Sequence, residues 1–184
     1  MEYEQPRRNI SEPKAGIRET SDSASKISGS NTAIGLANKF FEPVIYLKIN
    51  SVGLHFYDIH KFTIFWIIAN NPCISPERLR NMVTVNAATL DFTLYHVDKA
   101  FTILENLGIT KFGDSISLTD SGRALYTFLH DKEAVDSWIS GIRYPDSVDP
   151  LRAAYNIKKV REVIDSEQEV IKQAYKLEQQ KRQF

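Results

Sequence analysis

Between positions 86 and 108 the chain carries an apolar stripe that leaves it little choice of local structure. Leu90, Leu94, Val97, Phe101, Leu104 and Leu107 recur at intervals of four, three, four, three and three, which puts them on one face of an α-helix. Asn86 stands where an N-cap is wanted and Gly108 where a helix closes. A long helix with a single apolar face has to lie on other elements. The next segment, ITKFGDSISL, consists of two short β-prone runs about Gly113-Asp114, which predicts a two-residue hairpin. LTDSGRALYTFLHD then opens another helix.

Upstream, YDIHKFTIFWIIANNP sets Ile59, Phe62, Phe65 or Trp66 and Ala69 on one face and is stopped by Asn70-Asn71-Pro72, the pattern of a buried helix. Ser75-Pro76-Glu77 is a helix start: the serine oxygen caps free amides, proline is pre-set for the first turn, and glutamate favours the positive end of the dipole. A short helix, PERLRNMV, comes next. Earlier still, TAIGLANKFFEPVIYLKI places Ile34, Ala37, Phe41, Ile45 and Leu47 to Ile49 at near-helical intervals, with Pro43 expected at a helix start or kink. At the other end, Asp149-Pro150 starts a helix in which Ile157, Ile164 and Ile171 recur every seven residues, as do Val163, Val170, Leu177 and Phe184. Two adjacent apolar columns predict one long helix with a seam for a partner helix, its flanks interrupted by Glu167, Glu178 and Lys181. The alternative is packing within the chain, on the helix at 31–50.

The chain thus divides into three regions: a leader at 1–32, rich in Ser, Glu, Lys, Arg, Pro and Gly and expected to be disordered; a helix-and-hairpin domain at 33–130; and a C-terminal helical region at 131–184. The predicted fold is mainly α with a small β-hairpin. No apolar run approaches a membrane span, and MEYEQPRRNI has no signal-peptide segment, so a cytoplasmic protein without membrane contact is expected. The single cysteine, Cys73, excludes an internal disulfide and a cysteine-rich zinc site; it reads as a plain buried loop cysteine rather than a reactive thiolate. Charge is evenly spread, with five basic and five acidic residues in 1–35, eight and eight in 36–130, and ten and ten in 131–184. Any basic face must therefore be made by the fold.

Helix, short capped helix, long helix, hairpin and helix is the order of a winged helix-turn-helix. The segment 53–125 resembles the MarR (multiple-antibiotic-resistance regulator) family of dimeric winged-helix repressors, through GLHFYDIHKFTIFWIIANNP, SPERLRNMVTVNAATLDFTLYHV, ILENLGI and, most specifically, SLTDSGRAL. The resemblance implies a winged helix-turn-helix domain flanked by N- and C-terminal dimerisation helices, with the recognition helix, about 86–107 here, in the major groove of double-stranded DNA. It also implies a space between the dimer helices and the winged domain that can take a small-molecule effector. Two departures bear on function. The wing KFGDSIS is short and lacks an acidic-x-basic tip, and the recognition helix is either longer than usual or broken near Asp91.

With Leu90, Leu94, Val97 and Phe101 inward, Ala88, Phe92, Tyr95, His96 and Lys99 face outward, with Asp91 and Thr102 at the edges. Ala88 and Thr89 next to the cap residue Asn86 permit close approach to a groove, Tyr95 and His96 can donate to phosphates or base edges, and Phe92 can touch thymine methyls. Arg78, Arg80 and Lys111 are the candidate phosphate contacts. Dimerisation is assigned to Ile157, Val163, Ile164, Val170, Ile171 and Leu177. The competing reading is a winged-helix protein-interaction module that uses Phe92, Tyr95 and the wing against protein, which the neutral charge favours. Enzymatic chemistry is not expected: His55 and His60 flank Asp58 at a spacing that does not share a helix face, and no metal, cofactor or phosphate-loop signature is present.

Overall fold

In the computed structural model, residues 21–47, 54–84 and 90–183 are described, with side chains from 32 and from 93 in the first and third of these segments. They form α1 (Ser21–Ile45), α2 (Phe56–Asn70), α3 (Pro76–Val83), α4 (Leu90–Asn106), β1 (Thr110–Lys111), β2 (Ser117–Leu118), α5 (Asp120–His130), α6 (Lys132–Gly141), α7 (Pro150–Asp165) and α8 (Glu167–Lys181). The fold is mainly helical with one small antiparallel sheet among the described residues. No helix there is long and apolar enough to cross a membrane.

Caps set the element starts. Ser75 Oγ accepts from the Arg78 amide at 3.2 Å with Pro76 in the first turn, Thr119 Oγ1 accepts from Gly122 at 3.0 Å, Asp131 Oδ1 accepts from Ala134 at 3.0 Å, and Asp149 Oδ1 accepts from Leu151 at 3.1 Å ahead of Pro150. Each satisfies an amide with no partner inside its helix. The end of α4 is a Schellman motif: Gly108 takes φ +68, its amide donates to Glu105 O at 2.8 Å, and the Ile109 amide donates to Leu104 O at 2.9 Å.

α2 is the central helix. Ile64, Phe65, Trp66, Ile67 and Ile68 are all buried, so it is covered on more than one side. Toward α1 and α6 it joins an aromatic cluster in which Phe40 lies 5.1, 5.0 and 4.9 Å from the Phe41, Phe62 and Phe65 rings, and Trp138 lies 5.7 Å from Phe41. Toward α3 and α4 it meets Leu79, Met82, Val97, Ala100, Phe101 and Leu104. Ile59, expected inside, is exposed, and the buried charged residues Asp58 and Lys61 sit on the inner side instead.

Several expectations are corrected. Helix α1 begins at Ser21, inside the leader expected to be disordered to residue 32; once the turns around Ala33, Leu36 and Ala37 are buried, each further residue adds a hydrogen bond without a new nucleus. Pro43 lies inside the last turn of α1, held there by Phe40, Phe41 and Val44, which are fully buried around it. The hairpin is not a two-residue one. Pairing is Thr110 with Leu118 and Lys111 with Ser117, leaving a five-residue loop at 112–116, because Ile116 turns inward to pair with Ile74, its amide donating to Ile74 O at 2.8 Å. To deliver Ile74 to that bridge, Cys73 adopts φ +59, and it is exposed rather than buried. The long C-terminal helix is two helices, α7 and α8, divided at Ser166, whose amide reaches back to Val163 O at 3.4 Å. α7 packs on α1, the intramolecular alternative, while α8 crosses α2 and α3.

Candidate nucleic-acid interface

Helix α4 presents to solvent the arc that contains Tyr95, Asp98, Lys99, Thr102 and Glu105. Tyr95 is 64% exposed and Lys99 is exposed beside it, as the outward assignment requires. His96 is not outward: it is 8% exposed, with its ring 5.3 Å from those of Phe56 and Tyr95 and 6.4 Å from that of His60. The reason is helical phase. The buried arc centres on Val97, Ala100 and Leu104, and His96 shares the stripe of Ala100, whereas the apolar pattern had centred it nearer Leu94, which is only half-buried. Burial, then the neighbouring His96, holds the His60 imidazole below its ordinary value. As described, α4 begins at Leu90, one residue before Asp91. Asn86, Ala88 and Thr89 lie outside the described residues, as does the Phe92 side chain.

The candidate phosphate contacts separate into two groups. Lys111 is exposed on β1. Arg80 is exposed but donates to Asp98 Oδ1 at 3.1 Å, a pair that bridges α3 and α4. Arg78 is engaged more firmly: Nε donates to Glu178 Oε1 at 2.9 Å and Nη2 to Oε2 at 3.3 Å, a two-pronged contact with a carboxylate that is only 8% exposed. That hydrogen bonding holds the Glu178 carboxyl below the usual carboxylate range and raises the Arg78 guanidinium. Arg182 closes on the same carboxylate at 2.6 Å.

Helix α8 makes two further polar contacts with the elements around the site. Tyr175 OH donates to Asn71 Oδ1 at 2.8 Å. At the start of α8, Glu167 accepts from Asn70 Nδ2 at 2.6 Å and Tyr126 OH at 2.9 Å, and meets His130 Nε2 at 2.9 Å. The other ring nitrogen of His130 lies 2.9 Å from the Tyr126 carbonyl oxygen. Both partners are acceptors, so both contacts are hydrogen bonds only in the doubly protonated ring. None of these carboxylate roles was assigned from the sequence. The signal was there: Glu167 and Glu178 interrupt the apolar columns, and they fall with Ala174 on one buried stripe.

Ile157, Val163, Ile164, Val170 and Ile171 are half-buried and packed against the core of their own chain; Leu177 is half-buried. A cleft of 540 Å³ between α2, α5, α6 and the α7–α8 junction is floored by Trp66, Leu129, Val135 and Ile164. Arg161 pairs with Asp136 at 2.7 Å and His130 contacts Glu167 at its rim, while among the described residues the Trp66 indole N–H has no acceptor. No protein-family model, curated protein or solved structure matches this chain.

Proposed function

We propose that residues 54–130 form a winged helix-turn-helix and that the protein binds double-stranded DNA as a transcriptional regulator, with α4 in the major groove. The observation that supports this best is the rung between Ile74 and Ile116. It ties the α2–α3 connection to the β1–β2 hairpin, which supports reading the hairpin as a wing beside a turn motif of α3 and α4. Tyr95, Lys99 and Thr102 on the outer arc of α4, with Lys111 on the wing, are the contacting groups. The regulator acts as a homodimer through the half-exposed parts of α7 and α8.

The test is retention of the full chain on random-sequence duplexes over a salt series. A phosphate-contacting protein loses affinity steeply with salt, and Lys99→Ala or Lys111→Ala each flattens the slope by about one unit. Tyr95→Ala costs roughly 1–3 kcal/mol on a selected site and little elsewhere. Retention that is absent at low salt overturns the proposal. A second reading, a protein-interaction module, is favoured by one observation: two of the candidate cations, Arg78 and Arg80, already hold carboxylates, while the outer arc of α4 presents the 64% exposed aromatic ring of Tyr95.

A further inference from the structure

Arg78 lies on α3, the helix that in a turn motif crosses the DNA backbone, yet its guanidinium is held in two-pronged fashion by Glu178 of α8. Carboxylate and phosphate compete for the same face of a guanidinium, because both offer two oxygens at matching separation. A duplex that engages α3 must therefore displace Glu178.

The attachment of α8 is suited to displacement. Helix α1 is anchored by Ala33, Leu36, Ala37, Phe40, Phe41, Val44 and Ile45, all buried, whereas the one fully buried apolar residue of α8 among the described residues is Ala174. Val170, Ile171 and Tyr175 are only half-buried against the core, and polar contacts join them along the whole helix: Glu167 with Asn70, Tyr126 and His130 at its start, Tyr175 with Asn71 midway, and Glu178 with Arg78 near its end. Polar contacts of this kind exchange for water or for another partner more readily than buried apolar surface does. Helix α7 packs on α1 while α8 packs on α2 and α3, so Ser166, the single residue between the two helices, is the place where an undocked α8 would pivot.

We infer that α8 is a clamp in cis: docked on α3 it withholds Arg78 from DNA, and DNA binding and α8 docking oppose each other. This rests on the DNA-binding reading above. The opposition is reciprocal, so α8 weakens DNA binding by the same factor by which DNA loosens α8.

The test uses the full chain and a random-sequence duplex. Glu178→Gln keeps the shape and removes the charge; it should bind several-fold more tightly, with the log affinity against log salt slope steeper by about one unit as Arg78 is freed. Glu169→Gln, the same charge change on an exposed glutamate of α8, should leave affinity nearly unaltered, and adding Arg78→Gln to Glu178→Gln should cancel the gain. Tyr175→Phe loosens α8 with no change of charge and should give a smaller gain. Adding duplex to the unaltered chain should speed amide exchange in α8 and leave α1 as it was. If the unaltered chain binds duplex and Glu178→Gln binds no better, or Glu169→Gln gains as much, the clamp is overturned while the DNA-binding reading stands. If the unaltered chain binds no duplex at low salt, the functional reading falls and the clamp with it.

Discussion

Lys61 is the residue whose placement owes most to its surroundings. It is 2% exposed, its ammonium lies 3.4 Å from Asp58 Oδ1, and it sits 4.8 and 5.3 Å from the Phe62 and Phe40 ring centres. Burial pushes its pKa down, and the Asp58 carboxylate offsets part of that push. Removing one partner of a buried pair strands the other charge, so Asp58→Ala should lose about 3–5 kcal/mol of unfolding free energy in urea. Asp58→Leu with Lys61→Met removes both charges and should be neutral or stabilising by about 1–4 kcal/mol. A loss under about 1 kcal/mol in Asp58→Ala would mean that the ammonium reaches water. His60 adds a sensitivity to mild acid. Its folded-state pKa is depressed by burial and by His96, so the unfolded chain takes up the proton first. The stability is complete above the unfolded value of about 6.5 and is lost as pH falls below it. Urea midpoints measured from pH 7.5 downward should decline, and His60→Gln should flatten that decline; an unaltered decline would assign it to carboxylates.

Among the elements, the junction of α5 with the sheet is the most tightly toleranced. A Cβ on Gly122 would lie 2.1 Å from the Ile109 carbonyl oxygen and 3.0 Å from its carbon. Backbone cannot yield there, because Ile109 O also accepts from the Thr119 amide at 3.0 Å and Ile109 closes the end of α4. The glycine of LTDSGRAL is thus required by close approach of helix to strand, not by φ. Gly122→Ala should cost about 2–3 kcal/mol or more by thermal unfolding, although alanine favours helices; an unchanged melting temperature would show that α5 shifts to make room. In α4 the apolar stripe and the glycine stop are local properties, but the arc that meets α2 is decided by the packing of Val97, Ala100 and Leu104, and that rotation turns His96 inward, toward Phe56 and His60.

For the whole molecule, the division of the C-terminal region between α7 and α8 decides how its apolar columns are used. Ile164 is half-buried against its own core and lines the cleft beside Trp66, so Ile164→Asp should lower the melting temperature at every protein concentration, by the cost of an unpaired carboxylate in apolar surroundings. The proposed homodimer adds a separate signature: sedimentation at micromolar concentration should give a dimer, and the melting temperature should rise with concentration. A chain that sediments as a monomer with a concentration-independent melting temperature would confine the columns to intramolecular packing.

What the sequence determined by itself is the kind and order of the elements from α1 to α5 and the helix start at Asp149: the capped starts at Ser75 and Asp149 agree with its turn chemistry, and the α4 stripe and its Gly108 stop agree with its periodicity. These are nearest-neighbour properties, written within one or two helical turns. Only the tertiary structure decided that Lys61 lies in the core, that Ile116 pairs with Ile74 and so lengthens the hairpin loop, that Cys73 takes a left-handed backbone to permit it, and that Glu178 reaches Arg78 across 100 residues. Each depends on a group distant in the chain, and a charged residue on an apolar stripe reads the same whether it meets water or a buried partner until the fold supplies that partner.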